Sequence, residues 1–221
     1  MSTFACFDVE TTRLDPKVGH VIEIAVVLTE ADGTPVGEEW TTLVNPGTTD
    51  VGRADIHGIQ AEWLSDAPQF GEIAGDLADR LSGHIPVAHN KSFDVGFLAA
   101  EWSRAGFGKL DLYAVDTLPM ARGIGLPGKL EKLANSLGVP LDDAHRALGD
   151  TRALAGVLVA LLDRGAHLSP CPVFDPPMFT PRPTGRVLHR PAGTTCPGRL
   201  SVEAWLIGVI PEERHHSALS G

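Results

Sequence analysis

The chain has 221 residues, enough for one sizeable core with an appendage, and its 43% hydrophobic and 21% charged residues describe an ordinary globular protein. A formal net charge of −10 argues against a protein that coats nucleic acid by bulk electrostatics, though not against one gripping a few phosphates locally. No apolar run approaches the roughly 18 residues of a membrane span, and no basic segment followed by an apolar run opens the chain, so a cytoplasmic setting without membrane contact is expected.

In chain order, residues 3–9 are apolar and aromatic apart from Asp8, the pattern of a central strand covered on both faces. Residues i and i+2 of a strand share a face, so Asp8 and Glu10 project together from its C-terminal end, roughly 6–7 Å apart by the rise per residue. Two like charges so close in a half-buried place repel unless cations neutralise them, and a divalent metal ion is the simplest such cation. The plainer reading is a pair of strand-end residues in solvent. Cys6 within this strand reads as a small buried hydrophobe, and three scattered cysteines (Cys6, Cys171, Cys196) make neither a disulfide framework nor a zinc site.

Arg13-Leu14-Asp15-Pro16 makes a turn, and residues 21–28, rich in β-branched side chains, make a second strand. A hairpin signal at Ala31-Asp32-Gly33-Thr34 returns the chain as a third strand over residues 38–44, giving an antiparallel meander. Asp55-Ile56-His57-Gly58-Ile59 reads as a short helical or turn segment. The 3.6-residue spacing of Phe70, Ile73, Ala74, Leu77, Ala78 and Leu81 predicts a helix ending at Gly83. Residues 85–89 form a short strand, and Asn90 or Ser92 is placed to cap a helix carrying Phe93, Phe97, Leu98 and Trp102, with both phenylalanines in the core. A fifth strand is expected around residues 112–115, with Asp116 as a helix cap at its end, then helices over 129–137 and 146–162. Strands first clustered and then alternating with helices indicate a mixed sheet with helices against it.

From Gly165 the character changes. Eight prolines fall between Pro170 and Pro197, so the chain divides into a domain over 1–165 and a Pro-rich extension over 166–221. No residue of the extension is assigned a chemical role; an apolar patch over 201–210, containing Trp205, is placed to dock on the domain or on a partner.

Three further groups join Asp8 and Glu10: Asp94 in the first turn of a helix that comes after a strand, His145 with Asp150 at the start of the last long helix, and the Asp116-Thr117 pair. His145 and Asp150 are five apart, a little over one helical turn. Together Phe7-Asp8-Val9-Glu10-Thr11-Thr12, His89-Asn90 with Phe93-Asp94, and His145 with Asp150 resemble the three signature motifs of the DnaQ-like 3′–5′ exonucleases. This DEDDh family includes the proofreading subunit of bacterial DNA polymerase III, and the match runs in order over about residues 3–163.

The resemblance implies an α/β fold of ribonuclease-H type, with a mixed five-stranded sheet flanked by helices. It implies that Asp8, Glu10, Asp94 and Asp150 bind two Mg²⁺ or Mn²⁺ ions and that His145 is the general base. The expected reaction is hydrolysis of phosphodiester bonds from the 3′ end of single-stranded nucleic acid, DNA before RNA, releasing nucleoside 5′-monophosphates. Expected partners are those 3′ ends and a DNA polymerase or another replication or repair protein. Thr11 and Thr12 are expected beside the terminal 3′-hydroxyl, Leu14 against the last base, and His57 and Asn90 on sugar or phosphate. Arg13 departs from the family, which usually has Gly there, and bears on specificity rather than on the acids.

The residue types suit that chemistry independently. Hard divalent ions prefer carboxylate oxygens, four negative charges balance two such ions, and a histidine of pKa about 6.5 can take a proton from water near neutrality. Two other readings compete: a non-catalytic nucleic-acid or protein binding module on the same fold, and an exoribonuclease or other phosphoesterase trimming short oligonucleotides. The six remaining histidines, His20, His84, His167, His189, His215 and His216, read as surface residues.

Overall fold

The computed structural model describes residues 3–141 and 144–194. Strands β1 (Thr3–Thr11), β2 (Val21–Glu30), β3 (Pro35–Leu43), β4 (Ile85–Ala88) and β5 (Val115–Asp116) form one sheet in the order β3-β2-β1-β4-β5. The meander β1-β2-β3 is antiparallel, while β4 and β5 add parallel strands on the far side of β1. The sheet is therefore mixed, with β1 at its centre, as an apolar strand covered on both faces requires.

The helices are α1 (Ala54–His57), α2 (Ala61–Leu64), α3 (Phe70–Leu81), α4 (Lys91–Arg104), α5 (Thr117–Gly123), α6 (Leu130–Leu137) and α7 (Ala147–Asp163). Alternation along β1 divides them between two layers. Ala5, Phe7 and Val9 pack with Ile73 and Leu77 of α3 and with Phe97, Leu98 and Trp102 of α4. Phe4 and Cys6 face the other way, onto Met120 of α5, Leu133 of α6 and Leu154, Val157 and Leu158 of α7. Complete burial pushes the Cys6 thiol up to about 12, so it behaves as a hydrophobe.

Local signals account for the helix ends. Glu72 accepts the Gln69 N–H at 2.8 Å ahead of α3. Gly138, with φ +72°, closes α6 in the left-handed conformation that favours glycine. Asp116 caps α5 through the Leu118 N–H at 3.0 Å and also accepts from Asn90 and Lys91 at the start of α4, at 2.9 and 3.2 Å. One carboxylate thus satisfies two helix N-termini. The Asn90 side chain makes no capping bond; its backbone is left-handed, φ +63°, and the capping role passes to Asp116.

The fifth strand is shorter and later than expected. β4 offers it only two rungs, Val87 to Val115 and Ala88 to Asp116, and Leu112 enters the core from a loop instead. His20 and His84 are not simple surface residues: His20 Nδ1 lies 3.0 Å from Glu101 Oε1, and His84 Nδ1 is bonded to the Thr3 hydroxyl. No helix among the described residues is long and apolar enough to cross a membrane.

After α7 the Pro-rich segment forms no helix or strand through residue 194, apart from a single bridge between Phe174 and Ser82. It is nonetheless tied down. Phe174 is buried and bonded through its N–H to His84 O at 2.8 Å, while buried Asp76 accepts the Thr184 and Gly185 N–H groups at 2.8 and 2.7 Å. Leu188 O accepts the Leu43 N–H at 2.7 Å. A prolyl segment brings few N–H donors of its own, so side chains and neighbouring loops can satisfy its main chain without a ladder. The apolar patch around Trp205 lies outside the described residues.

Candidate active site

Asp8 and Glu10 continue the row begun by Phe4 and Cys6, so they lie on the face that α7 covers. Asp150, in the first turn of α7, reaches them there: one carboxylate oxygen from each of Asp8, Glu10 and Asp150 falls within 4.8 Å of the others. Asp94 stands apart from this triad by that measure. It comes from α4, on the opposite layer, and reaches β1 along its edge. β4 pairs with β1 only from Phe4 to Cys6, so further along the Val9 N–H is released from the ladder and donates to Asp94 Oδ1 at 3.2 Å. Asp94 is buried, and its charge is the strongest of those acting on Asp8.

Electrostatics report the strain of this gathering. Burial, and then the charges of Asp94, Asp150, Glu10 and Glu23, hold Asp8 well above the usual carboxylate range. Glu10 is pushed up to about 8 by burial and then by Asp150 and Glu23. Asp94 rises to about 8 because burial outweighs the N–H bonds it accepts, and Asp150 to about 7 because burial outweighs its bond from His145. Without a neutralising cation the cluster holds protons. The donor set is entirely carboxylate oxygen, which fits hard divalent ions.

His145 lies at the exposed mouth with φ +64°, and its N–H donates to Asp150 Oδ2 at 2.9 Å. Asn90, also exposed, shares that left-handed conformation. Among the described residues these are the two non-glycine positions with positive φ, and each immediately precedes or lies two residues before a helix carrying an acid of the site. Such backbones cost on the order of 1–3 kcal/mol and persist only where the surroundings hold them.

The loop after β1 is built closely. Thr12 is buried, its N–H donating to His20 O at 2.9 Å and its hydroxyl accepting the His20 N–H at 3.0 Å. Thr11 donates its hydroxyl to Arg13 O at 2.7 Å. Gly52, with φ +75°, packs so near that a Cβ there would lie 1.9 Å from Thr12 O. Leu14 is 86% exposed, open to a ligand, whereas Arg13 is paired with Asp50 across the loop.

His57 lies inside its own loop. It is 2% exposed, with Nε2 3.1 Å from Val51 O and Nδ1 accepting the Ile59 N–H at 3.1 Å, so both ring nitrogens order their own loop. His89 likewise ties Thr117 Oγ1 at 2.8 Å to Gly128 O at 2.9 Å.

Two residues beside the acids escape sequence reasoning. Glu23 faces Glu10 across the β1–β2 pair, is buried, and accepts the Ala147 N–H at 2.9 Å. Arg190, from the Pro-rich extension, is buried against it in a two-pronged pair, Nε to Oε1 and Nη2 to Oε2, both 2.7 Å. Glu23 is the lone charge among the apolar residues 21–28; nothing in the order of residues around Arg190 signals its destination.

Residues 5–158 match the RNase_T family, described as exonuclease. Among relatives, PolC-type DNA polymerase III of Bacillus cereus is 33% identical over 164 residues, covering 72% of this chain and 11% of that protein. The PolC-type polymerase of Oceanobacillus iheyensis is 34% identical over 167 residues, 73% of this chain and 12% of that one. The chain thus matches only 11–12% of the length of these relatives. Solved structures share its fold. The nuclease domain of 3′hExo, a DEDDh family member bound to rAMP, superposes with a TM-score of 0.65 at 18% identity, over 77% of this chain and 97% of that one. E. coli Exonuclease I in complex with a dT13 oligonucleotide does so with a TM-score of 0.60 at 18% identity, over 75% and 42%. The chain belongs to the RNase_T exonuclease family.

Proposed function

We propose that the protein removes nucleotides from the 3′ end of single-stranded DNA, releasing nucleoside 5′-monophosphates. The observation that carries this reading is the convergence of Asp8, Glu10 and Asp150 within 4.8 Å in a chain whose residues 5–158 match the family. Asp8, Glu10, Asp94 and Asp150 would hold two Mg²⁺ or Mn²⁺ ions. When bound, such ions supply positive charge for the approach of water to phosphorus and for the departure of the 3′-oxygen.

The chain's own residues do the rest. His145, exposed beside Asp150, takes a proton from the attacking water. The bond broken joins the terminal phosphorus to the 3′-oxygen of the penultimate nucleotide, which leaves the phosphate on the released 5′ side. Leu14 packs on the last base, and the main chain at Thr11 and Thr12, held by His20 and Gly52, meets the terminal 3′-hydroxyl. Asn90 lies on the sugar-phosphate path. DNA is preferred over RNA in this reading because the relatives at 33–34% identity are DNA polymerases; the same likeness supports a replicative or repair polymerase as a partner.

The test is degradation of 5′-labelled single-stranded DNA and RNA with Mg²⁺, Mn²⁺ or EDTA, with products separated by size. A metal-dependent ladder shortening from the 3′ end, faster on DNA, is expected. Tight binding of the oligonucleotide without shortening, at high enzyme concentration in either metal, would leave only a binding module.

A further inference from the structure

A single guanidinium from the extension ties together three segments that border the site. Arg190 holds Glu23 of β2 with two prongs, donates from Nη1 to the carbonyl of His57 at the end of α1, and donates from Nη2 to the carbonyl of His145 at 3.3 Å. Glu23 in turn accepts the N–H of Ala147, the first residue of α7. His145 is therefore held from both sides: its N–H by Asp150 and its C=O by Arg190. Those two bonds flank a left-handed backbone, φ +64°. The arginine also offsets part of the charge that buried Glu23 adds to the neighbouring acids Glu10 and Asp150.

We propose that Arg190 is a positioning residue for the exonuclease reaction: the Pro-rich extension returns to the site and fixes the turn that presents His145. This rests on the reading of His145 as proton acceptor. A planar fork suits the task, since it reaches a carboxylate and two carbonyls at once, which a lysine ammonium on a flexible stem does not do.

The test uses the full chain with Arg190→Met, Arg190→Lys, Glu23→Gln with Arg190→Met, and His145→Ala alone and with Arg190→Met. Arg190→Met is expected to lower kcat by about 10–100-fold, the usual effect of losing an outer-layer partner, with KM within about twofold. Arg190→Lys is expected to recover little of it. In the His145→Ala background, removing Arg190 should cost no more than about twofold, because its effect passes through His145. Glu23→Gln with Arg190→Met leaves no buried charge unpaired, so it carries the test if the single variant does not fold; it should keep the kcat defect. Amide exchange over residues 144–150, measured by mass spectrometry, should accelerate in either Arg190→Met variant.

Wild-type kcat in the neutral double variant, losses that multiply in the His145→Ala background, or unchanged exchange would each overturn the assignment. Wild-type inactivity would instead overturn the exonuclease reading, and the exchange comparison would still decide the Arg190 contact.

Discussion

Replacing Glu10 by Gln should make the metal-free protein more stable while destroying its activity. At about pH 7.5 the fold keeps Glu10 largely protonated, with its pKa at about 8, whereas the unfolded chain, with the ordinary value of 4.5, ionises it fully. That pH lies about three units above the ordinary value, and at roughly 1.4 kcal/mol per unit the proton uptake costs the fold about 4 kcal/mol, an upper bound because Asp8, Asp94 and Asp150 share the same repulsion. Glutamine carries no such cost. A realised gain of even about 1–2 kcal/mol would raise Tm by roughly 2–8 °C for a chain of this size. The sign with pH is set by the same shift: a carboxyl whose folded pKa is raised binds more protons folded than unfolded, so wild-type stability in EDTA falls as pH rises from about 4.5 towards 8. The advantage of Glu10→Gln should therefore shrink to nothing near pH 4.5 and be largest near pH 8. Thermal unfolding of both proteins across that range, in EDTA and with Mg²⁺, is the assay. The divalent ion should stabilise the wild type much more than the variant. A variant less stable than wild type in EDTA near neutral pH would refute the picture of acids gathered under mutual repulsion.

Three further outcomes are expected. His145→Ala should lower kcat by roughly 10²–10⁴-fold while leaving Mn²⁺ affinity, measured by calorimetry, within a few-fold of wild type. Gly52→Ala forces a Cβ to within 1.9 Å of Thr12 O at a left-handed position, so stability should fall by about 1–3 kcal/mol, and KM for oligonucleotide should rise as the Thr11–Thr12 loop shifts. Leu14→Ala removes a side chain that is 86% exposed, so stability should hold within about 0.5 kcal/mol of wild type while KM rises several-fold; an unchanged KM would take Leu14 out of substrate binding.

Much of the site is legible in the sequence because its signals are local. A strand that is apolar except for Asp8 and Glu10 announces both its burial and the side on which its acids sit, since period-two alternation is a property of the extended chain. The amphipathic spacing of α3 and the β-branched run of β2 are likewise read within a single element. The places of Asp94 and His57 are not local. Asp94 bonds to β1 because the β4 ladder ends at Cys6 and leaves the Val9 N–H open, and the carbonyl of His57 is bound by Arg190, 133 residues further along the chain.

What the order of residues determined alone is the inventory of the longer strands and helices, and that four acids and a histidine end up on the central strand, on loops and at helix starts around it. What only the tertiary structure decided is which of those groups meet, and what surrounds them. Glu23 reads as one acid in a strand until register sets it opposite Glu10, and Arg190 reads as one cation in a prolyl tail until that tail crosses the sheet edge and returns. Long-range contacts of this kind depend on where chain segments about 170 residues apart are brought together, and no periodicity within either segment encodes the distance between them.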